Sequence, residues 1–405
     1  MSQSPLTPLT DALAFLLKDA RENAVTAEVP LPDALGCVLA ASQTATVNVP
    51  AFDNSAMDGY AVNTADLDQV GCVLPVSQTI AAGHPGDTLA AGTAARIFTG
   101  APMPAGADAV VIQENTTTAD GRVTIQELPT PGENVRRKGH DVSAGEEILQ
   151  AGHRLRPQDL GLLASLGVAR VSVKQPLTVA IINTGDEVVA PGEPLAPGQL
   201  YDSNSYTLAG LLLGLGMRVI KLGIVGDTLA ATEMALAEAA SQADCIITTG
   251  GVSVGDEDHV RQAVENLGQL ALWKLAIKPG KPFSYGRIQD VPFFGLPGNP
   301  VAVFVTFVTL VRAYLLKVQG CRTLPLPCLR VRAGFEITCP GSRLEFLRVQ
   351  LVTDEAGAQT LVPFGNQGSS LMTSLSWADG LAEIPLGETV STGQWLKFLP
   401  FRGML

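Results

Sequence analysis

Three short segments hold the residues whose types and spacing suggest chemistry. In residues 245–253 an apolar run leads into a Gly-Gly turn followed by a serine. Residues 278–282 place two lysines on either side of a Pro-Gly pair, and residues 296–300 form a second Pro-Gly turn. Free backbone N–H groups and ammonium groups both bind anions. The segments therefore predict an anion pocket, on a chain whose own net charge is −12.

The Gly-Gly turn and the lysine turn supply the candidate ligands of that pocket. Glycine lets the backbone approach a phosphate closely, and a hydroxyl adds a donor, which favours Gly250, Gly251 and Ser253. Lys278 and Lys281 are the candidate cations. Two glycines alone are also typical of a tight turn that packs a helix on a sheet. The turn matches neither the dinucleotide fingerprint nor a Walker loop.

Carboxylates follow three consecutive predicted strands. Residues 183–187 end the first strand, Asp227 follows the second, and Asp256 and Asp258 follow the third. The carboxyl ends of parallel strands share one edge of a sheet. Acids beside a phosphate pocket are explained if Mg²⁺ lies between them, although each acid alone could also cap a helix.

A second polar cluster lies far away along the chain. It comprises residues 53–60, Thr99-Gly100 and the basic run that precedes Asp141. The alternative interpretations are a simple turn for residues 53–60 and a solvated face for the basic run. The residues alone do not connect this cluster to the anion pocket.

The elements that position these residues follow from hydrophobic periodicity. From residue 177 onward, apolar strand patterns alternate with helical ones, which predicts a parallel sheet covered on both faces. The predicted strands are 177–182, 219–222, 245–248, 271–277 and 293–296. The predicted helices are 204–215, capped by residues 202–204, then 228–240, 255–267 and a long one after residue 300.

The remaining segments predict three further domains, so the chain is a multidomain α/β plus β protein. Short β runs divided by Gly and Pro predict an inserted β-rich domain at 47–146. Helical spacing at 9–21 and 157–166 predicts a small discontinuous helical and linker domain. The complete division is 1–46 with 147–175 for the linker domain, 47–146 for the β-rich domain, 176–324 for the central α/β domain and 328–405 for a C-terminal β-barrel or sandwich.

Composition excludes several functional classes. The acidic balance argues against non-specific nucleic-acid binding and against an electrostatic membrane tether. The longest apolar run, 301–311, is shorter than the roughly 18 residues of a membrane span and predicts a buried helix. No signal peptide, C-x-x-C pair or zinc-type histidine spacing occurs. We therefore expect a cytoplasmic protein with reduced thiols.

Taken together, the motifs resemble the molybdopterin molybdenumtransferase family, which includes the E domain of gephyrin. Arg348 and residues 366–370 extend the resemblance, more loosely, into the C-terminal barrel. The matching blocks are D-N-S-A-M-D-G-Y-A at 53–61, T-G-A-P at 99–102, D-V-S-A-G at 141–145, A-S-L-G at 164–167, T-G-D-E at 184–187, T-G-G-V-S-V-G at 249–255, K-L-A-I-K-P-G-K-P at 274–282 and G-L-P-G-N-P-V at 295–301.

The resemblance implies an elongated four-part homodimer with a molybdopterin-binding α/β domain. Its active site would lie between the α/β domain of one subunit and the β-rich domain of the other. The implied reaction takes adenylated molybdopterin and molybdate as substrates and gives molybdenum cofactor and AMP, with Mg²⁺ as the cofactor. The implied partners are molybdopterin adenylyltransferase and other proteins of molybdenum cofactor biosynthesis.

The resemblance also assigns roles residue by residue. Glu187, Asp227 and Asp258 would hold or orient Mg²⁺. His140, before Asp141, departs from the acidic residue of relatives and changes the local charge. The residues implied in catalysis are Asp58, Thr99, Asp141, Glu187, Asp227 and Asp258. Those implied in binding the cofactor precursor or molybdate are Gly250, Gly251, Ser253, Lys274, Lys278, Lys281, Pro297, Pro300, Arg348 and Ser369.

Two alternative functions stay open at this point. A molybdopterin adenylyltransferase would consume ATP without molybdate. A non-catalytic scaffold of the gephyrin type would bind a peptide without turnover. The acids and lysines present favour the enzyme.

Overall fold

The structure is a computed structural model that describes residues 6–250 and 259–404. Its N-terminal part combines two helices with twelve short strands. In chain order these are α1 (Leu9–Asp19), β1 (Thr26–Pro30), β2 (Gln43–Thr44), β3 (Asn54–Ser55), β4 (Gly59–Val62), β5 (Val73–Ile80), β6 (Ala94–Ile97), β7 (Ala109–Ile112), β8 (Thr116–Ala119), β9 (Arg122–Ile125), β10 (Val135–Arg136), β11 (Glu147–Leu149), α2 (Pro157–Ser165) and β12 (Arg170–Lys174).

The second part of the chain alternates strands with helices and then ends in strands. Its elements are β13 (Thr178–Thr184), β14 (Val188–Val189), β15 (Leu200–Tyr201), α3 (Asn204–Gly214), β16 (Arg218–Val225), α4 (Leu229–Gln242), β17 (Cys245–Thr249), α5 (His259–Leu267), β18 (Gly268–Lys274), β19 (Ile277–Lys278), β20 (Pro282–Ile288), β21 (Val291–Leu296), α6 (Pro300–Thr306), α7 (Arg312–Val318), β22 (Leu329–Ala333), β23 (Leu344–Thr353), β24 (Gln359–Pro363), α8 (Met372–Trp377), β25 (Gly380–Ile384) and β26 (Trp395–Pro400).

The α/β domain contains a parallel sheet of four of the predicted strands, extended by two antiparallel strands. The fifth predicted strand, 271–277, is β18, and it is antiparallel at the edge of the sheet. The strand order is β16-β13-β17-β21-β20-β18. The first four strands are parallel, whereas β20 pairs antiparallel with both β21 and β18. Sequence periodicity missed β20, because its Pro-flanked start lies in the segment that was interpreted only as a lysine turn.

Successive side chains of β13 lie on opposite faces of this sheet, and both faces are buried. Val179 and Ile181 join the core formed with α3 and the long helix after residue 300, while Ala180 and Ile182 join the core formed with α4 and α5. This period-two alternation is what a strand imposes. Both faces are therefore covered, as the sequence predicts.

The long helix after residue 300 is a core helix. α6, a π-helical segment Phe307–Val311 and α7 form one continuous helix. Pro300–Val318 is long and apolar enough to cross a membrane by length and composition alone, but 83% of its apolar window is buried inside the fold. The apolar composition of this helix is therefore explained by its burial in the core of the α/β domain.

Helix α1 packs on this same core. Its Ala12 and Leu16 are buried there, and Asp19 accepts a 2.7 Å hydrogen bond from Arg287 of β20. The linker region is held by the antiparallel pair β1–β12 and by a cluster beneath α2. The N-terminal helix thus contacts the α/β domain directly.

The β-rich domain and the C-terminal domain are each built on a six-stranded sheet. The β-rich domain has the order β7-β4-β6-β5-β9-β8, with buried apolar clusters that alternate along β4. In the C-terminal domain the order is β19-β23-β24-β22-β26-β25, and β25 pairs back to β23. Five strands therefore close a barrel, and β19 joins it from the α/β domain.

Candidate active site

A cleft of about 940 Å³ opens at the carboxyl edge of the parallel sheet, between the α/β domain and the barrel. Its walls come from the ends of β13, β17 and β21, from the first residues of α3 and α6, and from the barrel loop 366–370. The lining residues are Asn183, Thr184, Glu187, Val188, Leu200, Tyr201, Asp202, Ser203, Asn204, Thr249, Gly250, Lys278, Pro279, Gly280, Lys281, Pro282, Pro297, Gly298, Asn299, Pro300, Ala302, Arg343, Gln367, Gly368, Ser369, Ser370 and Met372.

Polar side chains fix the loops at this edge relative to one another. Thr249 donates a 2.6 Å hydrogen bond to Asn183 Oδ1, which joins the ends of two neighbouring strands. Asn204 Nδ2 donates to the Gly298 carbonyl at 2.8 Å, which joins the start of α3 to the second Pro-Gly turn. These side chains are mostly withdrawn from solvent, so the loop arrangement is preorganised for a ligand.

Gly250 keeps the floor of the cleft open. Its φ is +87°, and a Cβ there would lie 3.0 Å from the Thr184 carbonyl oxygen. A larger residue would meet both backbone strain and a close contact. The other predicted members of this turn, Gly251 and Ser253, lie outside the described residues, as does Asp258.

The lysine turn projects two cations into the cleft. Lys278 forms a 2.8 Å ion pair with Glu345 of the barrel, whereas Lys281 has no carboxylate within 4.0 Å among the described residues. Gly280, with φ +113°, lies between them, and a Cβ there would be 2.6 Å from Thr306 Cγ2. The tight packing of this glycine against the long helix sets where the two ammonium groups point.

Cations are concentrated in the cleft even though the chain is acidic. Lys278, Lys281 and Arg343 line it together with the carboxylates of Glu187 and Asp202, and Lys278 is paired with Glu345 of the barrel. The first turns of α3 and of the long helix after residue 300 add partial positive charge. The arrangement can therefore bind phosphate or another oxyanion.

Arg348 lies behind the cleft wall and does not line the cleft. It is 1% exposed, and it donates to Ser374 Oγ at 3.1 Å and to the Gly368 carbonyl at 3.1 Å. Burial lowers the pKa of its guanidinium. Arg348 therefore fixes the loop that carries Ser369 into the cleft. That loop also contacts the long helix, since Val301 donates to the Ser369 carbonyl at 3.0 Å.

Two further predicted residues lie outside the cleft lining. Lys274 is the last residue of β18, and its carbonyl accepts a hydrogen bond from Thr7 at 2.7 Å. Asp227 is exposed at the end of β16, where its N–H donates to Asp186 Oδ1 at 3.2 Å. The contact places the acidic ends of β13 and β16 side by side. Glu187, next to Asp186, does line the cleft.

Asp58, Thr99 and Asp141 of the β-rich domain do not line the cleft of their own chain. Thr99 donates to Asp58 Oδ1 from its backbone N–H at 2.7 Å and from Oγ1 at 2.9 Å. These two hydrogen bonds lower the pKa of the exposed Asp58 carboxyl, the backbone one most strongly. Asp141 is exposed and its N–H donates to the Val49 carbonyl at 2.9 Å.

Sequence reasoning missed several lining residues. Asp202 and Asn204 were interpreted only as a helix cap, and Asp202 does accept from Ser205 N–H at 3.0 Å. Arg343 and Tyr201 stand in no motif. Arg343 is brought to the cleft by the pairing of β23 with β19, and Tyr201 by the β14–β15 ribbon. A polar Asp-Ser-Asn run directly after a strand was the one usable indication.

Fold and site together define a multidomain α/β protein with a polar, lysine-lined cleft at a sheet edge. Comparisons with known protein families agree with this multidomain architecture and identify the family. Residues 7–167 match the MoeA N-terminal region (domain I and II), residues 180–317 a probable molybdopterin binding domain, and residues 330–401 the MoeA C-terminal region (domain IV).

Individual relatives match over nearly the whole chain. A protein of Haemophilus influenzae named molybdopterin molybdenumtransferase is 41% identical, over 93% of this chain and 94% of the relative. A protein of the same name from Nostoc sp. is 38% identical, over 90% and 86%. The crystal structure of the molybdopterin biosynthesis moeA protein from Pyrococcus horikoshii OT3 superposes with a TM-score of 0.84 at 29% identity, covering 98% of this chain and 100% of that one.

The chain belongs to the molybdopterin molybdenumtransferase family. The family predicted from the motifs is thereby confirmed, and so is the multidomain α/β plus β fold class.

Proposed function

We propose that the chain is an enzyme of molybdenum cofactor biosynthesis that inserts molybdate into adenylated molybdopterin and releases AMP. The observation that carries this proposal is the cationic cleft at the carboxyl edge of the sheet, built from Lys278, Lys281 and Arg343. Its size suits a nucleotide-linked pterin, since ligand pockets commonly span about 300–1,000 Å³. Relatives named for this activity align with almost the entire chain.

Molybdate, a dianion, is assigned to Lys278, Lys281 and the Ser369 loop. Arg348 supports this assignment because it is a buried cation with no carboxylate within 4.0 Å among the described residues. A buried unpaired charge is costly, and a nearby anion offsets that cost. Gly250, with the turn that follows it, Pro297 and Pro300 would receive the phosphate groups, and Lys274 would add positive potential from β18.

Mg²⁺ is assigned to the acidic strand ends. Glu187 and Asp227 follow adjacent strands, and carboxylate oxygens are the donors that Mg²⁺ prefers. Among the described residues no group of three His, Cys, Asp or Glu is arranged to hold a metal ion, so the set would need Asp258 or substrate phosphates. One or two carboxylates plus phosphates is the usual Mg²⁺ site. When bound, the ion would offset phosphate charge and make AMP a better leaving group.

The catalytic acids of the β-rich domain are assigned to a second subunit of a homodimer. Asp58, Thr99 and Asp141 form no part of the cleft in their own chain, and Phe52 and Met57 leave exposed apolar surface beside them. Asp58, whose ionised form is stabilised by the hydrogen bonds from Thr99, would orient the attacking oxygen at the partner's cleft. The working compartment is assigned to the cytoplasm, with molybdopterin adenylyltransferase as the supplier of substrate.

The test is nucleotide release coupled to metal insertion. Purified protein receives adenylated molybdopterin, Mg²⁺ and graded molybdate, and AMP is measured against molybdenum incorporated. We expect one AMP for each metal inserted and no release without molybdate. Lys281→Gln should raise the KM at least about tenfold, because it removes a charge that contacts the anion.

Lys397→Gln is the matched control, because Lys397 pairs with Glu383 on the outer barrel and lies outside the cleft. Its kinetics should equal those of the wild type. ATP consumption without molybdate would identify an adenylyltransferase instead. Tight peptide binding without any AMP release would identify a scaffold. Either result contradicts the proposal.

A further inference from the structure

The cleft contains one aromatic side chain among its described lining residues, Tyr201. Tyr201 is 43% exposed, and Leu200 and Val188 beside it also line the cleft. Phosphate and molybdate are hydrated anions that make no use of such a surface. This wall of the cleft is therefore suited to an apolar or planar part of the ligand.

The backbone and the hydroxyl of Tyr201 are both held by neighbouring residues, so the ring is the part of the side chain that is available to a ligand. The β14–β15 pairing sets Tyr201 opposite Val189, and the Tyr201 hydroxyl donates to the Glu193 carbonyl at 2.9 Å. Because that hydroxyl is already bonded within the same loop, the exposed surface of the side chain is its ring. A tethered ring loses little conformational freedom when a planar ligand stacks on it.

A buried hydrogen-bond acceptor lies on the same stretch of the cleft wall. Asn204 uses its Nδ2 for the Gly298 carbonyl, and its buried Oδ1 has no partner among the residues that the structure describes. Leaving a buried acceptor unpaired is unfavourable. Adenine and pterin both carry an amino group that can donate to such an oxygen.

We propose that Tyr201 is a specificity residue that stacks on the amino-substituted ring of the substrate, while Lys278 and Lys281 hold its anionic part. The inference rests on the proposed function, since it concerns the same substrate in the same cleft. Adenine and pterin share the required chemistry, a planar π-face with an exocyclic amino group. Stacking of a base on an aromatic side chain is strong enough to affect affinity measurably.

The experiment titrates AMP, molybdopterin and inorganic phosphate separately into wild type, Tyr201→Phe and Tyr201→Leu by calorimetry. Tyr206→Leu is the matched control, because Tyr206 is 55% exposed on α3, outside the described lining of the cleft, with Lys221 Nζ 3.8 Å from its ring centroid. We expect Tyr201→Leu to weaken one ring-bearing ligand at least about fivefold. Tyr201→Phe, which keeps the ring but loses the tether, should lose less affinity than Tyr201→Leu, and Tyr206→Leu and phosphate affinity should stay close to wild type.

A loss for AMP assigns the stack to adenine, and a loss for molybdopterin alone assigns it to the pterin. Unchanged affinities for both ligands in Tyr201→Leu overturn the inference. An equal loss for phosphate also overturns it, because Tyr201 would then act by shaping the ribbon. Wild type that binds neither ring-bearing ligand contradicts the proposed function itself, which separates the two failures.

Discussion

At the scale of single residues, two hydrogen bonds stabilise the ionised form of Asp58. Both come from Thr99 and both end on the same carboxylate oxygen, at 2.7 and 2.9 Å. Hydrogen bonds to the charged form stabilise it, so the pKa of Asp58 is lowered from 3.8. The carboxylate is therefore an acceptor at every physiological pH.

Thr99→Val removes the hydroxyl donor and keeps the shape and the backbone donor. We expect the pKa of Asp58 to move upward, towards 3.8, because one stabilising hydrogen bond of the ionised form is lost. Carboxyl-carbon NMR titration measures it. Thr116→Val, whose hydroxyl bonds the Gln113 carbonyl, is the control and should leave Asp58 unchanged. An unmoved pKa in Thr99→Val would show that the hydroxyl contributes nothing.

At the scale of elements, Asp159 anchors the start of α2. It is 3% exposed and accepts hydrogen bonds from Arg156 N–H at 2.8 Å, from the Arg156 guanidinium at 2.9 and 3.0 Å, and from His153 at 2.8 Å. Burial raises the pKa of Asp159, but these hydrogen bonds lower it more, so the pKa lies below 3.8. The carboxylate therefore stabilises the folded state in its ionised form.

Asp159→Asn should lower the free energy of unfolding by roughly 2–3 kcal/mol at neutral pH. Because the folded pKa is depressed, the contribution is complete above the unfolded pKa and is lost as pH falls below it. The gap between wild type and variant should shrink from about pH 5 to about pH 3. Urea unfolding at both values measures this. A gap that is constant with pH contradicts the role of ionisation.

Arg348 acts on a whole loop rather than on one contact. Its guanidinium bridges Ser374 and Gly368, and a lysine ammonium has one nitrogen where the guanidinium uses two. We expect Arg348→Lys to keep part of the molybdate affinity and Arg348→Met to lose about tenfold or more, since the buried charge is gone. Calorimetry with molybdate measures it, with thermal melts to confirm folding.

Arg332→Met is the control for that series, because Arg332 lies on the outer barrel with its guanidinium 5.0 Å from the Trp395 ring centroid. It should bind molybdate like wild type. If Arg348→Met does so too, the buried guanidinium serves folding alone and does not support oxyanion binding by the Ser369 loop.

The elements were more predictable from the sequence than the site. Hydrophobic periodicity predicted the sheet through residues such as Val179 and Ala180, because strands buried on both faces are apolar at successive positions. β20 was missed because its first residue, Pro282, also ends the lysine turn. Arg343 reaches the cleft only because β23 pairs with β19, and such a contact between distant segments leaves no local pattern. Tyr201 was missed for the same reason.

At the scale of the whole molecule, the acids Asp58 and Asp141 and the cations of the cleft occupy different domains. Lys281 lines the cleft between the α/β domain and the barrel, whereas Asp58 sits on the β-rich domain, none of whose described residues lines that cleft. A homodimer in which each β-rich domain reaches the partner's cleft would unite them. Such a dimer has two sites, each built from complementary halves of two chains.

Mixing two impaired variants tests this arrangement, with substrate held well below the raised KM of the Lys281 variant so that each variant alone releases little AMP. In a dimer of one Asp58→Ala chain and one Lys281→Ala chain, one shared site contains both lesions and the other contains neither. Random reassociation of equal amounts should therefore recover about a quarter of wild-type AMP release, because about half of the dimers are mixed and each has one intact site. Asp58→Ala mixed with Asp141→Ala should recover nothing, since both lesions lie in the same half. If the first mixture also stays inactive although mixed dimers are present by mass spectrometry, each chain builds its site alone, and the acids must reach the cleft by a rearrangement within one subunit.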